Sequence, residues 1–218
     1  MMPRITAIEV QKKTPKRVNI YLDGEFAFGL ARITAAWLKT GQEVNEDEIA
    51  KLQAEDARER AYQQAMLFLS FRARSETEIR QNLRKHEIAE PVIEATLERL
   101  RQERLADDEH FARAWVENRN TFRPRSRLAL SMELRQKGLD DGTIQSALSG
   151  LDEEALAYEA ARRRAARLQG LEWNQFRKKL SDFLARRGFS YSIIAPIVTR
   201  MWSEAQAEQK HFEDEDMT

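Results

Sequence analysis

Leu130-Ser131-Met132-Glu133-Leu134-Arg135-Gln136-Lys137-Gly138-Leu139-Asp140-Asp141-Gly142-Thr143-Ile144-Gln145-Ser146-Ala147-Leu148 is the stretch from which the fold is read. Leu130 and Leu134 stand four apart, as do Ile144 and Leu148, and an i, i+4 apolar pair lies on one stripe of a helix. Gly138 falls four residues after Leu134, where a helix ends in a left-handed residue that glycine adopts without a Cβ clash. Asp140 then stands at the next N-cap. The stretch is a helical hairpin.

The same hairpin occurs three times. With Leu83, Leu134 and Leu184 as anchors, 51 and 50 residues apart, apolar residues recur four before (Ile79, Leu130, Leu180), five after (Ile88, Leu139, Phe189), ten after (Ile93, Ile144, Ile194) and fourteen after (Leu97, Leu148, Val198). Gly188 and Ser190 repeat the corner of Gly138 and Asp140 in the third copy. In the first, Glu87 and Ala89 occupy those places, so a frayed corner is expected there, although Pro91 suits the first turn of the helix that follows. A further helix precedes each hairpin, over residues 57–71, 108–118 and 152–168. Ser75 with Glu78 reads as a capping box, and Asp152 with Glu153 and Glu154 as a helix start. Each three-helix unit is a marginal core alone, so the units are expected to stack in an elongated array. Pro196 should bend the last helix.

Before the repeats, apolar and polar residues alternate over Ile5-Thr6-Ala7-Ile8-Glu9-Val10, Val18-Asn19-Ile20-Tyr21-Leu22 and Phe26-Ala27-Phe28, which predicts three short strands. Asp23-Gly24 is the dipeptide of a two-residue hairpin, whose central residues both need positive φ. A helical turn is expected over residues 31–38, and Asn45 caps a helix with Glu46, Asp47 and Glu48 in its first turn. The fold class is thus mainly α: three tandem three-helix repeats after a small N-terminal β-meander. The segments are residues 1–45 (meander and short helix), 46–103, 104–150 and 151–207 (the repeats), and 208–218, an acidic tail expected to be disordered.

Composition narrows the function classes. Charged residues make up 33% of 218 and apolar residues 42%, a balance that favours solvated helices around a core. With no cysteine, disulfides, thiolate metal sites and a cysteine nucleophile are excluded. No apolar run has the length of a bilayer span and the start lacks the pattern of a signal peptide, so a cytoplasmic protein without membrane contact is expected. The zero net charge is a cancellation between regions: residues 203–218 carry six acids against Lys210, whereas residues 111–139 hold seven bases against two acids and residues 158–187 nine against three. Such local excess suits a polyanionic partner.

No constellation for catalysis emerges. Asp107 and His110 could share a helix face as metal ligands, but acids at a helix N-terminus are expected as caps, and two ligands do not make a site. His86 aligns with Lys137 and Arg187 just before the corner, where a positive or polar group suits the negative end of a helix dipole. No glycine belongs to a phosphate-cradling loop and no serine to a nucleophile elbow. No enzyme, catalytic residue, metal or cofactor is expected. The basic clusters are the candidate partner-binding residues: Arg123, Arg125 and Arg127 beside Pro124; Arg162, Arg163 and Arg164; and Lys178, Lys179, Arg186 and Arg187. Arginine is a good helix former, so Arg162 to Arg164 also read as ordinary helix surface, whereas three guanidiniums beside a proline gain nothing from helix propensity. Trp115, Phe122 and Trp173 lie near these clusters, and aromatics at helical spacing more often fill cores than stack on bases.

One family has these features together. Asp107-Asp108-Glu109-His110-Phe111-Ala112, then Arg119, Arg127-Leu128 and Glu133-Leu134-Arg135-Gln136-Lys137-Gly138-Leu139 resemble the central signature of the RecX regulators of the bacterial recombinase RecA. Arg74-Ser75-Glu76-Thr77-Glu78 in the first unit and Leu184-Ala185-Arg186-Arg187-Gly188-Phe189-Ser190 in the third extend the match, as does the opening meander. The chain departs from the family pattern at Ser126 and Glu87, where glycine is usual, which bears on local loop shape. The resemblance implies an inhibitor that binds the RecA filament on DNA along its helical groove and limits recombinase, ATPase and coprotease activity, within homologous recombination, DNA repair and the SOS response. It adds Arg119, Arg135 and Lys137 to the residues expected to meet the partner. A monomer is expected, with single- or double-stranded DNA as a second partner; the alternative is a DNA-binding helical repeat protein acting without RecA.

Overall fold

The computed structural model describes the backbone of residues 2–215 and the side chains of residues 2–207. It holds two compact units, Met1–Ala106 and Asp107–Thr218, each described here by itself. The expectation for the acidic tail falls on residues whose side chains, and for 216–218 whose backbone, lie outside the described residues.

The first unit opens with the antiparallel meander β1 (Ile5–Val10), β2 (Arg17–Leu22) and β3 (Glu25–Ala31) in the order β1-β2-β3. Asp23 and Gly24 have φ of 50° and 92°, the two positive values that the tight hairpin needs. Alternation turns Ile5, Val18, Ile20, Phe28 and Leu30 to one face, where they are buried. Residues 32–37 form turns and not the expected short helix. Ala35 N donates to Ala31 O in helical fashion, but the next bonds, Ala36 N to Ile33 O and Leu38 N to Ala35 O, have the shorter spacing, and Gly41 with φ 91° follows too soon for a helix to propagate.

Asn45 closes a reciprocal capping box: Glu48 N donates to Asn45 Oδ1 and Asn45 N to Glu48 Oε2, each at 2.8 Å. The helix that starts there is α1 (Glu46–Leu69), which runs without interruption through the boundary expected near residue 57. No glycine or proline breaks it, and two cores hold it. Its first half covers the sheet through Leu52 and Ile49, and its second half, through Ala65, Tyr62 and Met66, joins α2 (Glu76–Lys85) and α3 (Glu90–Gln102) in the first repeat. Between them sits buried Asp56, whose carboxylate accepts from both Arg17 Nη atoms at 3.2 and 2.8 Å and from Ala31 N at 2.6 Å. Three donors make a buried carboxylate tolerable, and here they tie α1 to β2 and β3.

The second unit holds the other two repeats: α4 (Asp108–Phe122), α5 (Arg127–Gln136) and α6 (Asp141–Leu148), then α7 (Glu153–Ala165), α8 (Trp173–Ala185) and α9 (Tyr191–Glu215). Helix α4 outruns its expected end by four residues, and α7 stops short at Ala165, followed by turns to Gly170. Pro196 is the sixth residue of α9 and lies within the helix. Each repeat surrounds its own apolar core. Of the fifteen residues that define the repeat, all are buried except Ile88, which is half-buried beside the irregular first corner.

That corner is nonetheless closed. Glu87 N donates to Arg84 O and Ile88 N to Leu83 O, as Gly138 N and Leu139 N donate to Arg135 O and Leu134 O, and Gly188 N and Phe189 N to Ala185 O and Leu184 O. The three corners are one hydrogen-bonded motif, and closing it forces the central residue to positive φ: 58° for Glu87, 82° for Gly138 and 87° for Gly188. Glu87 carries the Cβ cost of that conformation, roughly 1 kcal/mol, instead of letting the helix end fray.

Two substitutions should therefore act in opposite directions in urea unfolding followed by far-UV circular dichroism. Glu87→Gly should stabilise the first unit by about 1 kcal/mol, and Gly188→Ala should destabilise the second by more than about 1 kcal/mol. No change at Glu87 would show that its backbone is not strained. Leu134→Ala, which empties a fully buried anchor position, should cost about 2–5 kcal/mol by the same measurement.

Candidate functional site

The basic loop of the second repeat is built by two helix ends. Arg123 is the C-cap of α4, and Ser126 is the N-cap of α5, its Oγ accepting from Ala129 N. Pro124 and Ser126 are both buried, because the corner of the third repeat is seated on them. Ser126 N donates to Arg187 O at 3.0 Å, and Arg187 Nη1 returns a bond to Pro124 O at 2.9 Å. A Cβ on Gly188 would lie 2.5 Å from Ser126 Oγ and 3.0 Å from the Ala129 Cβ. Glycine is needed at this corner twice over, for its φ and for the approach of the neighbouring loop.

This seating brings Arg187 to Arg123 and Arg125. Burial, then the charges of Arg125 and Arg123, push its guanidinium down from its ordinary value. Arg187 also stacks on Phe183, 4.4 Å from the ring centre, and Arg163 Nη1 donates to Thr121 O at the same end of α4. Among the described residues one carboxylate pairs with the cluster. Glu133 accepts from Trp115 Nε1 and Arg119 Nε at 2.8 Å and pairs with Arg125 Nε at 2.9 Å. Arg119 and Lys137 lie over the Trp115 ring at 4.4 and 5.1 Å. Arg119, Arg123, Arg125, Arg163 and Arg187 thus gather around one end of α4 with Glu133 as the acid that binds two of them.

The other candidates divide by what they touch. Arg127 donates to Leu148 O at 2.6 Å and Leu151 O at 3.1 Å, so it satisfies carbonyls at the end of α6 and braces the repeat from within. Arg135 pairs with Asp141 across the hairpin corner, and Arg162 with Glu159 one turn back on α7. Arg164 lies 5.6 Å from the Phe183 ring centre with its Nε buried and without a partner. Lys178, Lys179 and Arg186 are exposed on α8 and at its C-cap. In the first repeat, Arg80, Arg84 and Arg101 each meet carboxylates of α2 or α3, and Arg99 meets Glu59 of α1 and Glu103 at the C-cap of α3, so its charge is largely neutralised internally.

The repeat alignment also explains residues that a search for motifs leaves aside. Asp107 caps α4, its carboxylate accepting from the backbone N of His110 at 2.8 Å. His86 is the C-cap of α2, and its Nε2 lies 2.9 Å from Gln64 Nε2, which donates to Asn82 Oδ1. Gln64, Asn82 and His86 stand where Trp115, Glu133 and Lys137 stand in the second repeat. The polar bridge between first and second helices is retained while its members change. Glu133, which sequence reading did not single out, could have been found as one of only two acids in residues 111–139. Of the aromatics, Trp115 packs on Phe111 and Trp173 on Trp202, whereas Phe122 remains 70% exposed.

Comparisons with known proteins agree with this architecture segment by segment. The regulatory protein RecX N-terminal domain matches residues 3–45, and the first, second and third three-helix domains of RecX match residues 61–100, 107–148 and 152–198. The regulatory protein RecX of Bacillus subtilis (strain 168) is 34% identical over 199 residues, 89% of this chain and 75% of that one. That of Bacillus pumilus is 34% identical over 218 residues, 97% of this chain and 82% of the other. A crystal structure of regulatory protein RecX superposes with a TM-score of 0.68 at 29% identity, covering 90% of this chain and 98% of that one. The RecX structure from Lactobacillus salivarius gives 0.59 at 25% identity, over 67% of this chain and 97% of the other. Among the described residues no helix is long and apolar enough to cross a membrane. Three tandem three-helix repeats behind a three-stranded meander, matched along all four segments, make this chain a member of the RecX family of regulatory proteins.

Proposed function

We propose that the chain is a non-enzymatic inhibitor of the recombinase RecA, which binds the RecA–DNA filament along its helical groove and limits strand exchange, ATP hydrolysis and coprotease activity. Membership of a family of regulatory proteins, with the resemblance to RecA regulators, supports this partner. The observation that carries the reading at the level of residues is the cluster of five guanidiniums at the end of α4 against the single carboxylate of Glu133. A filament of protein on nucleic acid presents both carboxylates and phosphates, and planar guanidiniums bind either in bidentate fashion. Among the described residues no carboxylate pairs with Arg123, which favours, as a second reading, direct binding of DNA without the recombinase. Strong salt-sensitive affinity for bare DNA together with no effect on RecA would select it.

The decisive measurement is the DNA-dependent ATPase of RecA with purified protein added at up to equimolar amounts, where a clear decrease is expected. Unchanged hydrolysis, with no co-sedimentation on filaments, would rule the reading out. Within the cluster, Arg123→Glu should weaken inhibition several-fold and leave the unfolding midpoint unchanged, because its guanidinium holds no partner among the described residues. Arg127→Ala should do the reverse, lowering stability by about 1–2 kcal/mol through the carbonyls of Leu148 and Leu151 it leaves without a donor. A folded Arg127→Ala protein that has lost inhibition would move that residue into the contact surface.

A further inference from the structure

The exposed ring of Phe122 calls for an explanation that the repeat fold does not supply. It ends α4 and precedes Arg123, whose cap geometry, φ −145° and ψ 68°, turns the chain away from the helix axis. Phe122 is a large apolar side chain left 70% in water, directly before the exposed Arg123 in the chain.

The first repeat provides an internal comparison. Phe71-Arg72-Ala73-Arg74-Ser75 stands where Phe122-Arg123-Pro124-Arg125-Ser126 stands, and Phe71 is likewise exposed. There the cations are engaged. Arg72 is held by both oxygens of Glu78 at 3.0 and 2.9 Å, and Arg74 lies 4.0 Å over the Phe68 ring. The residue of the second repeat equivalent to Glu78 is Ala129, so the acid that neutralises Arg72 is missing beside Arg123. A small residue is also what the close approach of Gly188 requires at that position. The same junction that brings in Arg187 therefore removes the local counter-charge.

We propose that Phe122 with Arg123, Arg125 and Arg187 forms a site for one step of single-stranded nucleic acid, a base stacked on the Phe122 ring and its adjoining phosphate held by the guanidiniums. This rests on the proposed function and names the ligand of that site. A nucleotide joins a flat π face to a phosphate, which matches an exposed ring next to guanidiniums. A carboxylate side chain would meet the cations and leave the ring in water. Duplex DNA keeps its bases stacked inside and offers the ring no face to cover. The site accordingly discriminates single strands from duplexes by the aromatic ring, while its guanidiniums serve both.

The test uses the full chain without recombinase and follows fluorescence anisotropy of three labelled oligonucleotides of about a dozen positions: oligothymidylate, a fully abasic strand with the same phosphates, and a duplex. Wild type should prefer oligothymidylate to the abasic strand by roughly five- to tenfold, a modest value for one stacked base. Phe122→Ala should abolish the preference and leave abasic affinity unchanged, and Phe122→Trp should retain it. Arg123→Gln should weaken both single strands equally and reduce the salt dependence by the equivalent of about one phosphate contact. Equal affinity of wild type for the two strands, or an unaltered preference in Phe122→Ala, overturns the inference. If Phe122→Ala binds oligonucleotides as wild type does but no longer inhibits the RecA ATPase, Phe122 contacts protein; that outcome overturns the inference and leaves the proposed function standing.

Discussion

The junction of the last two repeats depends on a missing methyl group. Only glycine can place the corner of the third repeat against Ser126 and Ala129, and only with that approach do Ser126 N and Arg187 O exchange a backbone bond while Arg187 reaches Pro124 O. On the loop side both bonds use main-chain groups, Ser126 N and Pro124 O, whereas the corner side supplies Arg187 and requires Gly188. What it positions is Arg187, which joins Arg123 and Arg125 across 62 to 64 residues of sequence. The cationic cluster is thus a property of two repeats in register and belongs to neither alone.

Charge is distributed to the same end. In the first repeat guanidiniums and carboxylates meet across its own hairpin, whereas in the second Glu133 holds two arginines and the indole N–H of Trp115, and Arg123 meets no acid among the described residues. Exposed pairs of this kind add little stability, and their consequence is local: an excess of guanidinium at the end of α4 that the first repeat's hairpin does not have. A net charge of zero conceals this local excess.

Much of this was legible from residue order alone, and for physical reasons. The five apolar positions of the repeat report burial through helical periodicity, which is local; Asp23-Gly24, Asn45 and Asp140 report backbone conformations that few other residues adopt. Glu87 was legible only by half. Its identity marks an awkward corner, but the three repeated backbone bonds outweigh its preference and hold it at φ 58°. The length of α1 escaped because tertiary packing on two sides, and no capping signal, decides where it continues. Side-chain destinations escaped for a like reason. Arg123, Arg125 and Arg127 look equivalent in the chain, yet one ends without a partner among the described residues, one on an acid eight residues on, and one on carbonyls 21 and 24 residues away. Neither spacing nor propensity carries that information.

The undivided α1 has a consequence for how the first unit comes apart. The matched N-terminal domain ends at residue 45 and the first three-helix domain begins at 61, and the helical residues between them cover the sheet on one side and lead directly into the repeat. Asp56 binds that stretch to β2 and β3 through Arg17 and Ala31. Melting the sheet would expose Leu52 and unpair a buried carboxylate, and unwinding the helix there would propagate toward Ala65, which belongs to the core of the first repeat. Two hydrophobic cores that look like separate modules in sequence are therefore coupled as one cooperative folding unit.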